Sequence, residues 1–273
     1  MEQMGLERLL EEIPEAYYWA GFLMADGYFR IDALGYDCQL QLGMSEKDRC
    51  QIELFANFID AKVGTKDVKL KSKIYRQAVC SKRDSKALPK IIKKFSINKD
   101  KTHNPPARMM IKKNDLFLSF LVGFIDGDGC IRKDNGCIIV ACEKAWKETL
   151  DSWFLRLWQI SKAKSAYNLK IPVCKVDKNM CRIQTNHDGI KAFIISKIKE
   201  LKIPVLKRKW NNIADRDLTL DSNKMADRNS EIFEYVKSGR DVKWIAKKVN
   251  MKYGNCWRIV NEFKTTSSSK TLN

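Results

Sequence analysis

The feature that most constrains this chain is a short pattern that occurs twice. Trp19-Ala20-Gly21-Phe22-Leu23-Met24-Ala25-Asp26-Gly27 is matched by Leu121-Val122-Gly123-Phe124-Ile125-Asp126-Gly127-Asp128-Gly129. Each copy is an apolar helical run with small residues four apart, Gly21 and Ala25 in the first, Gly123 and Gly127 in the second. Such spacing leaves a flat stripe on one helix face, on which two helices can pack backbone to backbone. Both copies close on Asp-Gly, and glycine there is expected to take the left-handed conformation that ends a helix. Asp26 and Asp128 then stand at the C-terminal ends of two touching helices. A carboxylate in that place faces the negative end of a helix dipole and its own twin, which is unfavourable unless a cation lies between them. Either segment alone would read as ordinary packing followed by a turn. Together they read as a divalent-metal site. A calcium loop does not fit, because Cys130 and Ile131 stand where an oxygen ligand and a glycine are needed.

The chain has 273 residues, 44% of them hydrophobic, enough for one or two buried cores. Its 51 Lys and Arg against 33 Asp and Glu leave a formal charge of +18, which favours a polyanionic partner, nucleic acid first. The basic residues are spread along the chain and line no single amphipathic helix, which argues against a membrane surface. The longest apolar run, Leu116 to Ile125, is interrupted by Ser119 and is too short to span a bilayer. Glu2, Glu7, Glu11, Glu12 and Glu15 suit neither a secretory signal nor a transit peptide. The cysteines number nine and form no C-x-x-C pair; Cys38, Cys137 and Cys181 sit in strand-like runs as small buried residues would. An intracellular, reducing location without a zinc site is expected.

The same order of elements follows each copy. Period-two alternation predicts strands at residues 28–32, 38–42, 68–71 and 76–80, with a helix over 46–59 between the pairs. A lysine-rich helix carrying Leu88, Ile91, Ile92 and Phe95 closes the unit, with Pro89 near its first turn. The second stretch predicts strands at 131–134, 137–142, 167–174 and 180–185, and helices over 144–160 and 189–201. Phe95–Lys101 also parallels Leu201–Lys207, pairing Lys101 with Lys207. The expected fold class is α+β, with αββαββα halves at 1–97 and 114–217 and a linker over 98–113 that holds Pro105-Pro106.

If apolar strand positions face the helices, the other face of the first sheet shows Arg30, Asp32, Gln39, Gln41, Lys69, Lys71 and Arg76. The second shows Arg132, Asp134, Asn168, Lys170, Arg182 and Gln184. These are side chains that read base edges and grip phosphates. An antiparallel sheet can also show them merely to water; the charge and the carboxylate pair tip the reading towards DNA.

Beyond the polar stretch 215–229, apolar residues fall at Ile232, Phe233 and Val236, then Ile245, Ala246 and Val249, then Cys256, Ile259, Val260 and Phe263. With turns at Ser238-Gly239 and Asn250-Met251, three short helices over 218–264 suit a helix-turn-helix. Its recognition helix would run from Tyr253 to Phe263, with Lys252, Tyr253, Asn255 and Arg258 as contacts; a plain three-helix cap has the same pattern. Residues 265–273 read as a disordered tail.

The motif pair, the strand-helix order and the two lysine segments resemble the LAGLIDADG homing endonucleases, in their monomeric two-motif form, over roughly residues 10 to 217. The resemblance implies a saddle whose motif helices form a pseudo-two-fold interface and whose sheets straddle double-stranded DNA. It implies a metal-dependent, site-specific double-strand endonuclease that recognises a long target, with Asp26 and Asp128 holding Mg²⁺ or Mn²⁺ at the scissile phosphates. Lys101 and Lys207 would be the basic residues flanking the metals. Met24 replaces the acid that Asp126 supplies in the other copy, but that position is not the metal-binding one. With only His103 and His187, a histidine-based metal nuclease lacks its usual ligands. Two other readings share the fold: an intron RNA maturase, and a non-cutting regulator of the WhiA kind. Such regulators have lost the metal acids, so the two aspartates favour the cutting enzyme.

Overall fold

A computed structural model describes residues 5–32, 38–70, 73–97, 100–106, 111–161, 171–214 and 218–268. The chain divides into two compact units, Met1–Arg216 and Asp217–Asn273. The larger contains two copies of one arrangement. The first runs α1 (Pro14–Asp26), β1 (Tyr28–Ile31), β2 (Cys38–Ser45), α2 (Arg49–Phe58), β3 (Val63–Leu70), β4 (Lys73–Arg83) and α3 (Ala87–Phe95). The second runs α4 (Asn114–Asp128), β5 (Gly129–Ile131), β6 (Ile138–Glu143), α5 (Lys147–Ser161), β7 (Lys175–Asp177), β8 (Met180–Thr185) and α6 (Asp188–Glu200). One more helix, α7 (Lys207–Ala214), follows; the sequence pattern did not predict it. Each copy forms a four-stranded antiparallel sheet, ordered β1-β2-β4-β3 in one and β5-β6-β8-β7 in the other.

The motif helices α1 and α4 pack on each other at the centre and are buried on nearly every face. A helix that is apolar all round has no solvent side, and these two supply the core of both halves at once. Phe95 stacks on Phe120 across the join, and Phe124 packs between Trp146 and Trp153. The small residues of the motif let the backbones meet. A Cβ on Gly21 would lie 1.9 Å from the carbonyl oxygen of Phe120, and one on Gly123 would lie 1.9 Å from that of Tyr18. Ala25 and Gly127 meet further along, where a Cβ on Gly127 would come within 2.3 Å of the Cβ of Ala25.

The glycines that end the motifs have a different cause from the one expected. Gly27 (φ −70°, ψ 141°) and Gly129 (φ −90°, ψ 164°) are extended, not left-handed. Their small size is what the site requires: a Cβ would meet the carbonyl oxygen of Leu23 at 2.6 Å or of Ile125 at 2.5 Å. Each helix therefore turns straight into the first strand of its sheet.

Other boundaries also differ from the pattern. The strand expected over 167–174 is found at Lys175–Asp177; residues 162–170 lie outside the described residues, and 171–174 form no strand. In the smaller unit, much of the polar stretch 215–229 belongs to α8 (Leu218–Lys237). It is followed by α9 (Val242–Lys248), capped by the Asp241 carboxylate on the amides of Lys243 and Trp244, and by α10 (Tyr253–Ser268). The helix thus takes in four residues read as tail. Ile232, Ile245, Ala246, Val249, Cys256 and Val260 form the core of this unit.

Candidate functional site

Both motif carboxylates stand at the last residues of their helices, exposed to solvent at the tips but flanked by protein. Desolvation pushes the Asp128 carboxyl up to about 6, and the Asp26 charge beside it adds to the rise, while Lys101 and Lys209 oppose it. Asp26 is raised for the same first reason and is likewise opposed by Lys101 and Lys209. The four groups therefore form one electrostatic cluster.

Lys101 lies in a turn after α3. Its ammonium donates to the carbonyls of Leu23 (2.9 Å) and Ala25 (2.7 Å), the end of α1. Burial lowers it to about 8, against the pull of Asp128 and Asp26. The equivalent ammonium on α4 belongs to Lys209, not Lys207. Lys209 is buried and donates to the carbonyls of Ile125 (3.1 Å), Asp126, Gly127 (3.3 Å) and Gly129 (2.7 Å). Lys207 is exposed at the start of α7. Lys101 is carried by a turn and Lys209 by a helix, so the ammonium that reaches the end of α4 stands two residues past the one the sequence parallel pairs with Lys101. In both places a cation adds a donor to the carbonyls of the last helical turn and offsets the negative helix end on which the carboxylates sit.

Asp126 has a different role from Asp128. It is fully buried and accepts from the Tyr18 hydroxyl (2.9 Å), the Leu206 amide (2.8 Å) and the Trp210 indole (2.8 Å). Burial raises its carboxyl to about 6 despite these donors. Gln51 extends the network by donating to Tyr18 (2.7 Å) and to the carbonyl of Pro204. The network ties α7 to both motif helices, and it had no signature in the sequence beyond the unpaired acid.

Among the described residues, no group of three or more His, Cys, Asp or Glu could hold a metal. Two hard carboxylates are a donor set that fits a hydrated divalent cation, which takes its other ligands from water and a phosphate.

Strand register decides which side chains share a surface. Arg30 pairs with Gln39, and Gln39 and Gln41 pair with Arg83 and Ser81. By alternation the helix-free face of the first sheet carries Tyr28, Arg30, Gln39, Gln41, Lys66, Tyr75, Gln77, Ser81 and Arg83. Asp32, just past β1, continues the parity of Arg30 and is half-buried. Lys69 and Arg76 lie on the other face, in line with buried Ala78 and Cys80, and Arg76 pairs with Asp67 there. Strands β3 and β4 run longer than their hydrophobic pattern, so parity could not be carried from the core to their ends without the register. On the second sheet Arg132, Arg182 and Gln184 share the helix-free face with Lys175, which the pattern missed. Arg132 donates two hydrogen bonds to the Asp134 carboxylate. Lys71, Asn168 and Lys170 lie outside the described residues. In the smaller unit Lys252, Tyr253, Asn255 and Arg258 are exposed on or beside α10, together with Trp257, a residue the sequence reading passed over.

No family profile matches this sequence, and no curated protein matches it. Solved structures do. The homing endonuclease I-WcaI bound to its DNA recognition sequence superposes with a TM-score of 0.52 at 17% identity, covering 77% of this chain and 88% of that one. The LAGLIDADG homing endonuclease I-LtrWI bound to target DNA follows at 0.47 and 15%, covering 82% and 93%. Two four-stranded antiparallel sheets carried by a central pair of close-packed helices are therefore the fold this chain shares with I-WcaI.

Proposed function

We propose that this chain is a divalent-metal-dependent, site-specific double-strand DNA endonuclease of the LAGLIDADG type. The observation that carries the reading is the paired corner: two carboxylates at the ends of two touching helices, each beside a lysine that caps the same helix end. Asp26 and Asp128 would hold Mg²⁺ or Mn²⁺, which supplies charge neutralisation and a water of lowered pKa at a phosphodiester. The residues of the chain do the rest. The carboxylates fix where the cation and the phosphate meet. Lys101 and Lys209 hold protons on Nζ beside that place and offset negative charge as it develops. The helix-free sheet faces, with Arg30, Gln39, Gln41, Lys66 and Arg83 on one and Arg132, Lys175, Arg182 and Gln184 on the other, supply contacts to the duplex. I-WcaI, which shares the fold, is itself a homing endonuclease solved on its DNA recognition sequence. The exposed face of α10 would add contacts to flanking DNA.

The test is incubation of the purified chain with Mg²⁺ and a randomised duplex library, followed by sequencing of the cut ends. Double-strand cuts at one long motif, lost on adding EDTA, are expected. Enrichment of bound duplexes without any cut ends would instead favour the regulator reading, and indifference to DNA would redirect the search to intron RNA.

A further inference from the structure

Each capping ammonium is only as well placed as the segment that carries it, and in both cases the opposite half is bonded to that segment, through backbone carbonyls on one side and a side chain on the other. Lys101 caps α1 of the first half. Its own carbonyl and that of Thr102 accept from Nε1 of Trp146, at 3.0 and 3.1 Å, and Trp146 belongs to the second half. Lys209 caps α4 of the second half. Its neighbour Arg208 is gripped through Nε (2.6 Å) and Nη2 (2.9 Å) by both oxygens of Asp48, which belongs to the first half.

Asp48 and Trp146 occupy the same place in the two copies. Each is the last residue of a 3-10 turn, Glu46–Asp48 or Lys144–Trp146, that joins the second strand to the following helix. Both are buried, at 4% and 3% exposure. Three residues on, the correspondence recurs. The Gln51 amide donates to the carbonyl of Pro204, on the stretch leading into α7. The Thr149 hydroxyl donates to the carbonyl of Pro106 (3.1 Å), on the stretch leading away from Lys101. The chemistry differs, an ion pair on one side and an indole on the other, but position and crossed direction are shared. A forked Arg–carboxylate pair fixes orientation in a plane. It adds little net stability when one partner is buried, since desolvation offsets the attraction.

We propose that Asp48 and Trp146 are positioning residues, each fixing the lysine that serves the opposite half, so that loss of one brace disturbs one corner and leaves the other in place. The consequence for cutting rests on the nuclease reading above; the placement of the lysines does not.

Two conservative variants separate these claims. Trp146→Phe keeps a ring in the core and removes only the indole N–H; Asp48→Asn keeps the volume and removes the charge. Acetic anhydride labelling of the full chain without DNA, read by peptide mass spectrometry, reports each lysine. Lys101 should react ~5-fold faster in Trp146→Phe with Lys209 unchanged, and the reverse in Asp48→Asn, the scale set by one lost hydrogen bond. On a supercoiled plasmid carrying the target selected by the wild-type chain, each variant should accumulate nicked circles, with opposite strands cut in the two. Equal changes at both lysines, no change at either, or parallel slowing of both strands would mean general loosening or no brace at all, and would overturn the inference. If the wild-type chain cuts no DNA, the nuclease reading falls with the catalytic consequence, while the labelling pattern still decides whether the braces exist.

Discussion

The two halves of the larger unit reach one arrangement by different routes. In the first, α1 ends on Met24-Ala25-Asp26 and its capping ammonium comes from Lys101 in a loop. In the second, α4 ends on Asp126-Gly127-Asp128, and the ammonium comes from Lys209 on a helix held in place by the buried Asp126. The sheets differ as well. The first has an eight-residue β3 and an eleven-residue β4, where the second has a three-residue β7 and a six-residue β8. What the halves keep in common is a carboxylate and an ammonium at one helix end. The scaffolding that delivers them has diverged. Chemistry set by short-range electrostatics tolerates no displacement, whereas a loop can be exchanged for a helix if the delivered atom stays put.

The largest effects should fall on what the halves share. Asp26→Asn and Asp128→Asn should each reduce double-strand cleavage by ~10³-fold or more while duplex affinity survives, measured by plasmid linearisation and gel shift. Full cleavage by either variant would sink the metal assignment. Next comes the asymmetry in the lysines. Lys209→Met should cost ~10²-fold in cleavage, whereas Lys207→Met should leave the rate within about twofold. The opposite ranking would restore the match read from sequence.

Stability sharpens the comparison from another side. Gly21→Ala and Gly123→Ala both force a Cβ onto a facing carbonyl, so each should cost ~3 kcal/mol and lower Tm by ~6–12 °C in thermal melts. Loss at only one of the two would show that the helix pair is less symmetric than its contacts.

The pH response follows from Asp128. A carboxyl near 6 in the folded chain ionises later than in the unfolded chain, so the folded state holds more protons across that window. The contribution of this group to stability should therefore fall as pH rises from about 4 through 6 without metal, and Asp128→Asn should flatten that fall in pH-dependent melts. Cleavage should rise over the same range, because only the carboxylate holds a cation.

The smallest effects concern the first sheet. Lys66→Ala and Arg83→Ala should each reduce the salt dependence of duplex binding by ~0.9 in log–log slope per phosphate lost, while Lys69→Ala and Arg76→Ala should not.

Much of this was readable from residues alone, for identifiable reasons. The twin motif announced its helices because close backbone packing demands small residues at fixed spacing, and no other chemistry satisfies it. The order of strands and helices in each half followed from hydrophobic period. Asp26 and Asp128 were legible because a charge at the end of an apolar helix conflicts with its surroundings. The second lysine was not, since many lysines lie nearby and its partners are backbone carbonyls that leave no trace in sequence. Face assignments failed at Lys69 and Arg76, where exposed positions alternate without an apolar partner to mark the parity.

The sequence by itself determined the duplication, the two carboxylates and the pair of helices on which they sit, because those depend on local spacing and on burial. Only the tertiary structure decided which ammonium meets each helix end, why Gly27 and Gly129 must be small, and which residues share a sheet face. It also decided which residues of one half touch the segment that carries the other half's lysine. Those relations join residues far apart in the chain through backbone atoms, and a backbone atom is the same whatever side chain it carries.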